Sequence, residues 1–210
     1  MDNQSAELFG QTPWQTVGPF FHYGLPWKGG ADLVGASEIG ARDDLFAPEH
    51  YLLRTPLPRR PIDGPVIEIS GRVLDGEGEP VPDALVEIWQ ADANGHYYDP
   101  DINSAFVGFG RAATADDGAY CFRTLFPGRV AGPGNSLQAS HIAVGVMARG
   151  LLRRLVTRLY LPDSDGLEDD PILALVPPNR RATLIAKRQG GGYRFDIILQ
   201  GSNETVFFDC

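Results

Sequence analysis

Tyr97, Tyr98 and His141, with Arg149 eight residues further on, are the residues of this sequence whose types could do chemistry together. Phenolate and imidazole both suit a hard, electron-poor ferric ion, so a Tyr/His cluster is chemically reasonable. His141 stands in QASHIAVGV, residues 138–146, which reads as a buried strand with Ile142, Val144 and Val146 on one face. His141 and Ala143 then point the same way. A strand supplying two metal ligands needs histidine at both positions, and here the second is a methyl group. His22, His50 and His96 are scattered elsewhere. Considered alone, these residues support no metal site: His141 reads as a satisfied structural histidine, Tyr97 and Tyr98 as packing residues, and Arg149 as a surface or ion-paired one.

Other chemistries are poorly served. The glycine runs GQTPWQTVG and RQGGGYRF lack the Lys-Ser/Thr or strand-to-helix context of a phosphate loop. No G-x-S-x-G elbow occurs. Cys121 and Cys210 have no Cys or His at zinc spacing, are too few for a disulfide scaffold, and suggest a reducing compartment. A net charge of −9 argues against nucleic acid or an anionic membrane as the main partner, though a site can be locally basic. The opening residues lack the basic-then-apolar order of a secretion signal, and no apolar run approaches the roughly 20 residues of a spanning helix. A cytoplasmic protein is expected.

The elements that must position these residues are strands. At 210 residues the chain fits one domain, and its 25 Gly and 17 Pro are spread throughout, which favours short strands between frequent turns. Residues 1–65 read as an irregular arm, too rich in aromatics (Trp14, Phe20, Phe21, Tyr23, Trp27) to be a disordered tail. From Val66 the pattern predicts a strand with Ile67, Ile69 and Val73 inward, a DGEGEP hairpin loop, and a second strand ending at Trp89. AYCFRTL, HIAVGVMA and RRLVTRLYLP follow as strands, PILAL as a helical turn, RATLIAKRQGGGYRFDIILQG as a plain hairpin, and SNETVFFDC as a last apolar segment. The expected fold is all-β: a mixed β-sandwich of about seven or eight strands over residues 66–210, with the irregular N-terminal arm and long loops.

Several blocks, in order, then carry a resemblance. VEIWQADANGHYYDPD, FGRAATADDGAYCFRTLFPG, RLYLPD, RATLIAKR, YRFDIILQG and ETVFFD together resemble the intradiol ring-cleaving dioxygenases. TPWQTVGPFFHYGL and GSNETVFFD resemble the iron-free alpha-type chains of two-chain members of that family. The family's active chains hold Fe(III) with two Tyr and two His. The resemblance puts Tyr97 at the first tyrosine, Val130 in PGRVAG at the second, and His141 and Ala143 at the histidine pair. Gln138 stands where an arginine is usual. The resemblance therefore implies a degenerate former metal pocket at Tyr97, Val130, Gln138, His141 and Ala143, with no catalytic residue and no metal held by this chain.

What the resemblance implies instead is a heteromer. Fe(III) would be held by a homologous beta subunit, in αβ units within a higher oligomer, and this chain would complete the substrate pocket. Thr16, Gly18 and Pro19 match residues that line it, and Arg149 matches an arginine near the substrate carboxylate. The implied reaction is O2-dependent intradiol cleavage of protocatechuate to 3-carboxy-cis,cis-muconate. Two alternatives stay open: an autonomous metal enzyme using Tyr97, His141 and a third ligand such as His96 or Asp99, and a non-enzymatic transthyretin-like binding module built on GRVLDGEGEPVPDALVEI.

Overall fold

The computed structural model describes residues 25–35, 37–42, 44–50, 62–99 and 105–209. Eleven strands occur among them, in two main sheets, with three short 3-10 turns and no α-helix. The surplus over the expected seven or eight comes from two-residue strands such as β5 (Val130–Ala131) and β6 (Leu137–Gln138), which pair with each other and are too short to leave an alternation in the sequence.

β1 (Val66–Leu74) alternates buried and exposed along its length, with Ile67, Ile69 and Val73 inward as the pattern predicts. It pairs antiparallel with β4 (Ala119–Leu125) on one side. On its other side it pairs parallel first with β10 (Gly192–Arg194) and then with β11 (Ile197–Ile198). β9 (Lys187–Gln189) completes this sheet through a hairpin with β10. Gly190 and Gly191 both take positive φ (58° and 90°) at that hairpin's two-residue turn, a conformation that favours glycine. The hairpin is shorter than expected, because RATL forms a 3-10 turn (Arg181–Leu184) rather than strand. SNETVFFD forms no strand either; Thr205 N–H donates to Ile198 and Phe208 N–H to Val156, spanning both sheets.

The second sheet has the order β3 (Phe109–Ala113), β2 (Leu85–Trp89), β7 (His141–Met147), β8 (Leu155–Tyr160), antiparallel throughout. β1 and β2 therefore do not form the expected hairpin; they lie in opposite sheets. Asp75 ties the DGEGEP turn by accepting from the N–H groups of Glu77 and Glu79. Antiparallel pairing begins with Val81 N–H on Val73 O and stops, because Pro82 has no N–H to extend a ladder. Between the sheets lies the main core, which includes Ile69, Val73, Val86, Phe122, Ile142, Val144 and Leu159. A second cluster, Ala139, Tyr160, Leu173, Val176 and Leu184, sits at the outer end of β7 and β8.

The arm is built into this sandwich. Arg111 N–H, on edge strand β3, donates to Gly30 O, while Arg123 N–H, on β4 at the edge of the first sheet, donates to Ala31 O. Leu33 N–H returns a bond to Arg123 O. Ala31 and Asp32 are fully buried between the two edges.

A guanidinium among the expected ligand positions

His141 opens β7, and its ring is buried. Nδ1 lies 2.8 Å from Ala139 O. A carbonyl oxygen only accepts, so Nδ1 carries the proton and Nε2 is left as the lone pair. Burial holds the His141 pKa below the usual imidazole value, the Ala139 carbonyl acts against that shift, and the Arg158 charge reinforces it.

Ala143, two residues on, is registered between Trp89 of β2 and Arg158 of β8. Arg158 Nη1 donates to Gln138 Oε1 at 2.6 Å, and Gln138 Nε2 donates to Ala131 O at 2.9 Å. Val130 faces Gln138 across the β5–β6 pair. Tyr97 stacks on Trp89 with ring centres 5.8 Å apart and is 37% exposed. Burial raises its pKa and the Arg158 charge lowers it, so phenol and guanidinium feel each other. The fold thus brings Tyr97, Val130, Gln138, His141 and Ala143 together, with Arg158 among them. Tyr98 is exposed.

Behind this group stands Asp170, fully buried. Its carboxylate accepts from Ala139 N (2.8 Å), Tyr160 Oη (2.9 Å), Ile172 N (3.0 Å) and Leu173 N (2.7 Å). It fixes the entry to β7, the end of β8 and the loop between β8 and β9. Tyr160 is registered opposite His141, with ring centres 5.8 Å apart, and its pKa is pushed up by burial and by Asp170.

Four donors are what the family's iron would require, and these residues do not fit it. Val130 and Ala143 offer no donor atom, Gln138 is engaged, and the guanidinium of Arg158 adds a permanent positive charge that Tyr97 and His141 both feel, which disfavours a cation among them. His96 turns its Nδ1 toward Asp92, 3.8 Å away, on a side chain that is 71% exposed. Among the described residues no group of three or more His, Cys, Asp or Glu could hold a metal ion.

Arg149 lies away from this group, beyond Met147 at the far end of β7 from His141, a strand length of roughly 20 Å. Its Nε is 3.0 Å from Asp83 Oδ2 as an ion pair, but out of hydrogen-bond alignment: that buried oxygen has no hydrogen-bond partner. The Arg149 side chain is 63% exposed. Thr16, Gly18 and Pro19 lie outside the described residues.

Sequence reasoning passed over Arg158 and Asp170. Arg158 had a usable signal: counting residues outward from the turn between HIAVGVMA and RRLVTRLYLP sets it opposite Ala143. Asp170 had none, since it is one of five acidic residues in DSDGLEDD.

The family is identified by comparison with known proteins. The family model described as Dioxygenase matches residues 49–201. The chain belongs to that family, the intradiol dioxygenases. Within it, the chain is 42% identical to the protocatechuate 3,4-dioxygenase alpha chain of Burkholderia cepacia, over 95% of this chain and 97% of that one. It is 40% identical to the alpha chain of Pseudomonas putida, over 97% and 98%. The beta chain of Burkholderia cepacia is a more distant relative, 34% identical over 83% of this chain and 79% of its own. Among solved structures, the dioxygenase domain of a carbohydrate-binding fusion protein from Streptomyces sp. SirexAA-E superposes with a TM-score of 0.51 at 30% identity, over 67% of this chain and 82% of that one. No helix among the described residues is long and apolar enough to cross a membrane.

Proposed function

We propose that this chain is the iron-free half of a two-chain protocatechuate 3,4-dioxygenase, completing the substrate pocket of an iron-bearing beta-type partner. The assembled enzyme would cleave protocatechuate with O2, between its two hydroxylated carbons, to 3-carboxy-cis,cis-muconate. Fe(III) belongs to the partner in this reading; this chain supplies recognition and assembly. The observation that carries the reading is Arg158, whose guanidinium is bonded to Gln138, lies opposite Ala143 and is felt at Tyr97 and His141, in a chain so similar to alpha chains.

Arg149 is the residue for the substrate carboxylate. Its side chain is largely exposed and its bond to Asp83 poorly aligned, so the guanidinium can turn to an incoming anion at little loss. Thr16, Gly18 and Pro19 would line the pocket beside it. Thr16 offers a hydroxyl, Gly18 close backbone approach, and Pro19 a stiffened loop. A cytoplasmic location and αβ units within a larger oligomer accompany this reading.

The test is iron content and protocatechuate-dependent O2 uptake, for the chain purified alone and co-expressed with a beta-type chain. Iron and turnover only in the co-expressed pair support the proposal. Stoichiometric iron and turnover in the single chain overturn it.

A further inference from the structure

The arginines of this acidic protein are mostly matched with carboxylates. Arg42, Arg72, Arg111, Arg123, Arg188 and Arg194 each have an Asp or Glu oxygen within 3.5 Å. Arg158 has no carboxylate in direct contact among the described residues; its hydrogen bonds go to the neutral Gln138 amide and to the phenol oxygen of Tyr160, which itself donates to Asp170. Asp170, whose charge is felt beside it at Tyr160 and His141, is already committed to four donors. Arg129 comes to the same corner and also lacks a carboxylate partner among the described residues. Its N–H groups reach Leu137 O and Gln138 O, 3.3 and 3.5 Å away. Two guanidiniums thus bracket Gln138, one at its side chain and one at its main chain.

A half-buried cation that no carboxylate touches has shed part of its water for neutral partners only, and a direct counter-ion would lower its free energy. His141 supplies no compensation, being a neutral ring whose one proton is directed to Ala139 O. Tyr97, partly exposed, stacked on Trp89 and within electrostatic reach of Arg158, offers a flat aromatic surface beside it.

We infer that the group around Arg158 is an anion site of this chain's own, taking a small aryl carboxylate with its carboxylate on the Arg158 fork and its ring against Tyr97. The fork geometry of guanidinium matches a carboxylate's two oxygens, and the aromatic wall selects a flat apolar body over a bare inorganic ion. The inference does not depend on which chain holds iron.

The experiment uses the purified full chain and equilibrium dialysis against radiolabelled benzoate, with acetate, inorganic phosphate and benzyl alcohol as competitors. The expected result is saturable binding of one benzoate per chain. Arg158→Gln weakens it about ten-fold or more, Arg158→Lys weakens it less, and Arg72→Gln on the other sheet leaves it unchanged. Acetate competes feebly and benzyl alcohol not at all. Quenching of Trp89 fluorescence, lost in a Trp89→Phe variant, reports the same event locally. Circular dichroism identifies any variant that has not folded, and the wild-type result then stands on its own. Absence of saturable binding to the wild-type chain overturns the inference. So does binding undiminished in folded Arg158→Gln, or displacement by phosphate as effective as by benzoate.

Discussion

The carbonyl oxygen of Phe195 stands in the space that a Cβ on Gly71 would occupy. Tyr120 Oη donates to that same oxygen at 2.5 Å, and Asp196 Oδ1 accepts from Arg72 N–H at 3.0 Å. Between them these contacts make the break at which β1 leaves β10 and takes up β11. Gly71→Ala is therefore expected to lower unfolding free energy by about 3 kcal/mol, the upper end for overpacking, because the obstruction is backbone and cannot rotate away. Denaturant unfolding measures it; a loss within error of zero would mean the break is soft.

Asp170 offers a second stability test. Asp170→Ala leaves four donors without their acceptor in a buried corner, two of them tied to β7 and β8. At about 1–3 kcal/mol for each buried group that water cannot reach, the loss should be several kcal/mol. Asp170→Asn, which keeps one oxygen, should lose less. Equal losses in the two variants would show that charge, rather than acceptor count, is what this corner requires.

His141 sets a pH dependence whose sign follows from its burial. Its folded pKa lies below the ordinary value of about 6.5, so the unfolded chain takes up the proton first as pH falls. The stability held by the neutral ring is complete above that unfolded value. It is lost as pH drops through the folded one. Wild-type melting temperature should thus fall more steeply than that of His141→Gln below about pH 6.5. The comparison cancels the titration of carboxylates common to both proteins. Parallel curves would sink the assignment.

Arg149 separates recognition from chemistry. In the co-purified two-chain enzyme, Arg149→Gln should raise KM for protocatechuate about ten-fold, the size of one lost charge-assisted contact. Catechol, which has no carboxylate, should be turned over as by wild type. A fall in kcat for both substrates would instead place Arg149 in assembly.

Much of this was legible in the sequence, and the illegible part has a physical cause. The alternation of β1, the extent of β4 as AYCFRTL and the β7–β8 pair follow from local patterns, because side-chain parity and turn residues are local. That DGEGEP leads from one sheet to the other is a tertiary outcome, settled by which partner each strand finds across the core. The gathering of Tyr97, Val130, Gln138, His141 and Ala143 came only through the family likeness, since the five positions span one loop and three separate strands. Arg158 escaped notice because an arginine in an alternating strand ordinarily faces water, whereas β7 and β8 turn this one toward Gln138.

The pairing of residues 30–33 with both β3 and β4 bears on how the molecule keeps to itself. Those strands are the outer margins of their sheets, and each would otherwise show a row of bare N–H and C=O groups to any passing chain. One short length of the arm hems both margins at once. A polypeptide begun at residue 66 would keep every described strand and lose that hem, leaving two sticky borders on the same side. Its copies would join border to border, and insoluble aggregate rather than a smaller domain is the natural product of such a cut.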